Sequence, residues 1–375
     1  MTNEEKLKYL QETQAFTMRH RIWDKPGLRF DELKTLDDES WEEFSKYLLP
    51  SIPKVLYRYR PVNDFSLDEL FNDYAWFSNP VDFDDGTDSA LNTDIESEMK
   101  GIDEHPEQML VALTRAVILQ QFRLKTGRDP DDKLIESGIK LWPDGKLDTE
   151  AMKCALSQTC PNVKPEPYVN MLAHFNESGA MNKVEKPLKE MLDYYMDINK
   201  KIRSDLLCLC LAEEYDNDVM WAKYAGERSG FCIGYEMADE SFLGQRALMA
   251  LSPVFYGEKK SLRFFDILID GLNAQADGQI YGWAKKTYED IHVASLTKDP
   301  KWSFQREWRV VFGPEAGSHK QPFPFVKSIF LGEKMEPQYR NMLIELAIKN
   351  GWDVFERKIN KTGSKIIYSP VDVER

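Results

Sequence analysis

Apolar residues follow two rhythms along this chain. Spacing by three and four puts one face of a helix against a core, whereas short alternating or continuous runs suit strands. Residues 1–50 keep the helical spacing, as in Trp41, Phe44, Tyr47 and Leu48, and stop at Ser51–Ile52–Pro53. Val55–Tyr59 then reads as a strand, Leu67–Asn72 as a short helix, and Tyr74–Ser78 as a second strand ahead of the turn-rich Asn79–Gly86. Between Ile95 and Arg203 strand signals fade. Met109–Leu124 and Val184–Ile202 carry helical spacing there, interrupted at Gly127–Pro130 and Pro161–Pro167.

Strand patterns return at Leu206–Leu211 and Gly230–Tyr235, with helical spacing over Asn217–Ala225 between them. Glu240–Ala250 reads as a helix, Pro253–Tyr256 as a strand and Ser261–Ser295 as helical again. Trp302–Arg309 alternates in the manner of a strand, and the tail reads as strand Val326–Leu331, helix Pro337–Lys349 and strands Trp352–Arg357 and Lys365–Ser369. The predicted fold class is α+β: a helical N-terminal extension over 1–53, a discontinuous α+β core over 54–94 and 204–375 with a split mixed or antiparallel sheet, and a helical insertion over 95–203.

Composition agrees with a folded chain, since 42% of its 375 residues are hydrophobic and 30% charged. A net charge of −14 disfavours broad binding to a phosphate backbone while leaving room for a local basic pocket. The charged start MTNEEKLKYLQETQ is unlike a signal peptide and no membrane-length apolar run occurs, so a cytoplasmic location is expected. The five cysteines, Cys154, Cys160, Cys208, Cys210 and Cys232, suit a reducing compartment. Cys208 and Cys210 would share one face of a strand, and lacking CxxC or HxxxH spacing they read as structural thiols.

Four segments together resemble the bacterial family known as domain of unknown function 2971. They are Leu56–Arg60 (LYRYR), Trp76–Asp85 (WFSNPVDFDD), the apolar and helical run within Leu207–Tyr235, and Trp302–Arg309 (WSFQREWR). The family's usual Phe-Asn-Asp stands here as Phe83–Asp84–Asp85, and its Ser after the central strand is replaced by Leu211–Ala212.

The order of chemistry-bearing residues is, more distantly, similar to that of ADP-ribosyltransferases: a basic residue on strand one, Ser78 on strand two, and Glu307 late in the chain. What that resemblance implies is an enzyme using NAD as substrate and needing no metal. Arg60 or Arg58 would clamp the pyrophosphate, Ser78 would support the nucleotide, and Glu307 would stabilise the transition state. The catalytic candidates are thus Glu307, Arg60 and Ser78, and the cofactor-binding candidates Arg58, Tyr59, Trp221, Tyr224 and Arg309. Partners would be a small-molecule nucleotide and a protein or nucleic-acid target, as for a toxin or phage-defence effector, with no membrane.

Several alternatives stay open. Arg58 or Arg60 paired with Glu307 or Asp84 would serve architecture alone, and a non-catalytic nucleotide-sensing or protein-interaction module would use the same face. Trp221 and Tyr224 pack a core in one reading and stack on a nicotinamide or adenine ring in the other. Asp82, Asp84, Asp85 and Asp88 form a solvated acidic loop, ligate a hard cation, or border the site and orient an arginine. A metal-dependent nuclease would combine that loop with Glu307. Lys298 and Lys301 flank Trp302, where a lysine meets solvent, a ligand phosphate or a nucleic-acid target. The five histidines are scattered, and no GxGxxG loop or GxSxG elbow occurs.

Overall fold

The computed structural model describes residues 1–20, 36–86, 88–89, 203–238, 240–258, 264–277, 279–313, 316–360 and 365–371, with a few isolated positions besides. The predicted helices Met109–Leu124 and Val184–Ile202 lie outside the described residues. The chain divides into two compact units, one of Met1–Ser89, Ile202–Lys259 and Leu296–Arg375, the other of Ala90–Lys201 and Lys260–Ser295.

The first unit is built on an eight-stranded sheet. Its strands are β1 (Leu56–Arg60), β3 (Leu207–Ala212), β4 (Phe231–Tyr235), β5 (Leu251–Pro253), β8 (Glu307–Phe312), β10 (Val326–Leu331), β11 (Asp353–Ile359) and β12 (Ile366–Pro370), in the order β12-β11-β10-β4-β1-β3-β8-β5. Only β10 and β11 run parallel; the other neighbours are antiparallel. A parallel pair needs a crossover. The helix Pro337–Asn350 supplies it, begun by Pro337 at its first turn and closed by Gly351. The α+β prediction therefore holds, with a mixed, largely antiparallel sheet.

Alternation along β8 assigns its two faces. Trp308, Val310 and Phe312 point into the main apolar core, where the Trp308 ring meets Tyr9 edge-on at 5.5 Å. Tyr9 lies on α1 (Asn3–His20), while Phe44 of α2 (Asp38–Tyr47) packs on Phe16. The N-terminal helices thus cover this face of the sheet, with Tyr9, Phe16 and Phe44 part of the core. Fully burying each such aromatic contributes roughly 1.5–3 kcal/mol. A smaller cluster, including Tyr59, Met220, Trp221 and Phe330, is covered by α4 (Asp218–Tyr224). Asn217 caps that helix through its side-chain oxygen, which accepts from the Val219 and Met220 amides.

The sheet is split at its centre. β1 pairs with β4 at five successive positions but with β3 at one alone, Tyr57 opposite Ala212. Further along β3, Ser78 takes over as partner: its amide donates to the Cys208 carbonyl and the Cys208 amide to its own, both at 2.9 Å. The predicted second strand is accordingly shorter than expected. β2 covers Tyr74–Trp76 and pairs with β9 (Lys320–Pro322) in a separate two-stranded sheet, leaving Ser78 as an isolated bridge on β3. α3 (Asp64–Phe71) lies between β1 and β2 in the chain, with Asn63 as its N-cap.

The late segment also differs from its prediction. Pro300–Gln305 forms a 3-10 helix started by Asp299, and β8 begins only at Glu307. Arg306 joins them in a left-handed conformation with φ of 42°, which costs a non-glycine residue about 1–2 kcal/mol. Its guanidinium is held by Glu213 and Glu214. The expected strand Pro253–Tyr256 is broken into β5 and β6 (Phe255–Tyr256), and β6 pairs with β7 (Thr297–Lys298).

In the second unit the long helical stretch is two helices, Phe264–Asp277 and Ile280–Ser295. They approach closely at Gly271, where an added Cβ would lie 2.8 Å from the Trp283 ring. No described helix is long and apolar enough to cross a membrane.

Candidate functional site

A cavity of about 260 Å³ opens where β1 and β3 separate. Its lining includes Arg58, Tyr59 and Arg60 of β1, Ser78, Cys208 and Cys210, and Tyr224, Lys298, Trp302 and Glu307. Residues of all these segments line the cavity, with Arg58 and Arg60 leaving β1 on the face opposite Glu307, because Tyr57, Ala212 and Glu307 are register partners.

At the arginines the charge partner is Glu69 of α3, which sequence reasoning missed. Arg58 Nη1 donates to Glu69 Oε2 at 3.1 Å and Arg60 Nη2 to Glu69 Oε1 at 2.9 Å. Arg58 Nη2 reaches the Trp76 carbonyl at 2.9 Å, and the Trp76 amide donates to Glu69 at 3.3 Å. The expected architectural pairs with Glu307 or Asp84 are therefore replaced by one shared carboxylate. Two guanidiniums on one carboxylate leave a single positive charge at this wall. Burial, followed by the neighbouring Arg58 charge, pulls the Arg60 guanidinium down to about 10 in spite of Glu69. Gly230 keeps the adjoining strand close, since a Cβ there would sit 2.2 Å from the Arg60 carbonyl oxygen.

Glu307, the first residue of β8, is 5% exposed. Its backbone is fixed at both polar atoms: its amide donates to the Tyr256 hydroxyl at 2.8 Å and its carbonyl accepts from the Val254 amide at 2.9 Å. Lys298 Nζ lies 2.9 Å from Glu307 Oε2, 2.8 Å from Gln305 Oε1 and 3.1 Å from Asp88 Oδ2. Arg309, two residues along the same face of β8, donates from Nε to Glu307 Oε1 at 2.6 Å. Its Nη1 and Nη2 grip the two Asp88 oxygens, each at 2.8 Å, and Nη1 also reaches Ser89 Oγ at 2.8 Å.

Two acids and two bases thus form a closed, neutral cluster. Burial pushes the Glu307 carboxyl up, but the Arg309 and Lys298 charges outweigh it and hold the group ionised below its ordinary value. Asp88 is likewise depressed, burial being overcome by Arg309 and Lys298. Burial lowers the Lys298 ammonium, but Glu307 and Asp88 raise it by more, so it stays charged. Burial pushes both the Cys208 and Cys210 thiols up, which makes them wall groups and not nucleophiles.

Two expected ligand contacts are corrected. Trp221 is 0% exposed, its Nε1 donates to the Tyr215 carbonyl at 2.7 Å and its ring meets Tyr59 edge-on, so core packing has used it. Arg309 is 1% exposed and taken up by Asp88, Ser89 and Glu307, and it is not among the residues that line the cavity. Tyr224 does line the cavity, its hydroxyl accepting from Gln305 Nε2 at 2.8 Å. Tyr59 also lines it, with its hydroxyl donating to the Glu214 carbonyl at 2.8 Å. The acidic loop divides: Asp84 pairs with Lys223 at 2.9 Å, whereas Asp88 orients an arginine. Lys301 pairs at the surface with Asp299.

Residues 220–310 match the family model described as protein of unknown function DUF2971. The likeness to that family covers this stretch alone. The matched residues include Tyr224, Lys298, Trp302, Gln305 and Glu307, which line the cavity. Leu56–Arg60 and Trp76–Asp85 lie outside the match. No curated protein and no solved structure matches the chain.

Proposed function

We propose that the cavity binds the reacting end of NAD and cleaves its nicotinamide–ribose bond, in an ADP-ribosyltransferase-like reaction. The observation that carries this reading is the placement of Arg58, Arg60 and Glu307 on one cavity. The surplus positive charge beside Glu69 suits a pyrophosphate, which a guanidinium receives through two parallel hydrogen bonds. A cavity of about 260 Å³ is smaller than the roughly 300–1,000 Å³ that encloses a drug-sized ligand, so the nicotinamide riboside end enters and the adenosine half lies outside.

In the proposed step the bond from ribose C1′ to the pyridinium nitrogen breaks. Both electrons stay on nitrogen and neutral nicotinamide leaves. The positive charge developing at C1′ is favoured by the fixed Glu307 carboxylate in a water-poor site. A lone pair of an acceptor then captures C1′, the acceptor being water or a nucleophilic group of a protein or nucleic-acid target, and its proton passes to solvent. In a cell this reaction would suit a toxin or phage-defence effector.

The test is nicotinamide release and label transfer from NAD by the purified protein with cell extract. Wild type releases nicotinamide, and Glu307→Gln keeps its fold and its nucleotide binding while turnover falls about 100- to 1,000-fold, the usual cost of removing one transition-state electrostatic contact. Absence of both products with wild type sinks the catalytic reading. A second reading, a non-catalytic nucleotide-binding module, is favoured by the neutral cluster, in which each Glu307 oxygen already accepts from a cation. Saturable NAD binding without turnover would select it.

A further inference from the structure

We infer that Asp88 is a positioning residue for Glu307, acting through Arg309 and Lys298. The inference rests on the reading of Glu307 as the site carboxylate. A glutamate side chain turns about three bonds, and a mobile carboxylate stabilises a developing charge poorly because it must be reoriented as the charge forms. Here each oxygen has its own cation: Oε1 accepts from Arg309 Nε and Oε2 from Lys298 Nζ. Both cations are in turn held by the one carboxylate of Asp88.

The geometry makes Asp88 the anchor of the set. Its two oxygens receive Nη1 and Nη2 of Arg309, which fixes the plane of the guanidinium. Nε lies in that plane, so the direction in which it meets Glu307 is fixed as well. Lys298 bridges Asp88 and Glu307 from the other side. Asp88 lines the cavity with its side chain only 1% exposed. Its backbone is tied too, by Arg203 Nη2 donating to its carbonyl at 2.8 Å. Asp88, Arg203 and Lys298 stand within three residues of points where the chain leaves or re-enters this unit, at Ser89, Ile202 and Leu296. The charge balance matters as much as the aim: without Asp88, two cations would face Glu307 alone, and the surplus positive charge would oppose a cationic transition state.

Crystal structures of wild type and Asp88→Asn, paired with kinetics of nicotinamide release, test the inference. In Asp88→Asn the Arg309 plane turns and the Glu307 carboxylate leaves its place; kcat falls about 100-fold, the cost of an approximately 1 Å misplacement, while KM holds. The Asp88→Asn/Glu307→Gln double variant is no slower than Glu307→Gln alone, because two residues that act as a unit do not add. An unmoved Glu307, or losses that multiply in the double variant, overturns the proposal. Should Asp88→Asn not fold, Arg309→Lys keeps the charge but loses the planar fork, and the same non-additivity with Glu307→Gln decides. If wild type releases no nicotinamide the enzymatic reading fails by itself, and the position of Glu307 in the variant crystals still settles the role of Asp88.

Discussion

The two sets of charges at the cavity, one partly buried and one buried, are balanced differently. At β1 one carboxylate, Glu69, serves two guanidiniums; at β8 two carboxylates and two cations close on one another. Removing ions from water costs several kcal/mol each unless partners restore what is lost. The β8 cluster is complete within the protein and serves to hold Glu307 still. The β1 set has two guanidiniums on the single carboxylate of Glu69, and under the proposed function that surplus is what receives the pyrophosphate.

The largest expected effect comes from deepening that imbalance. Glu69→Gln strands two guanidiniums without a counter-charge and should cost roughly 3–5 kcal/mol, read by denaturant unfolding. Arg60→Met, by contrast, leaves a balanced Arg58–Glu69 pair and should change stability by less than about 1 kcal/mol while weakening NAD binding at least roughly tenfold. A loss of several kcal/mol with Arg60→Met would show that the pair of arginines is architectural.

Acid separates the two sets more gently. Asp88 and Glu307 have folded values below their ordinary ones, so their contribution is complete above about pH 5 and is lost as pH falls through those depressed values. Unfolding midpoints measured from pH 6 to pH 2 should drop less steeply for Glu307→Gln than for wild type, since one of the two linked carboxylates is gone. Parallel curves would mean that Glu307 is not held ionised by its neighbours.

The parts of this arrangement that were legible in the sequence are those written in local pattern. Short strand-like runs marked β1, β4 and β10, and alternation put Glu307 and Arg309 on one face of a strand with Trp308 on the other, as β8 bears out. Arg58, Arg60 and Glu307 were grouped beforehand only through a resemblance, and all three are among the residues that line the cavity. Charge partnership was not legible, because it depends on where a helix lands. Glu69 differs in no local way from other acids on α3, and its one hint is its place between Asp68 and Leu70 on a helix whose next residue inward is buried. The two readings of Trp221 stayed open for the same reason: periodicity places it on a face of its helix, while only packing tells whether that face meets the sheet or a ligand. The left-handed Arg306, which ends one element and starts another, carries neither Gly nor Asn to announce it.

The most direct test of the shared site is a crystal of the wild-type protein soaked with NAD. The account predicts nucleotide density in the cavity between β1 and β3, its pyrophosphate within hydrogen-bond distance of Arg58 or Arg60 and its nicotinamide ribose against Glu307. An empty cavity at saturating NAD, or a nucleotide bound where neither arginine nor Glu307 touches it, would contradict the account.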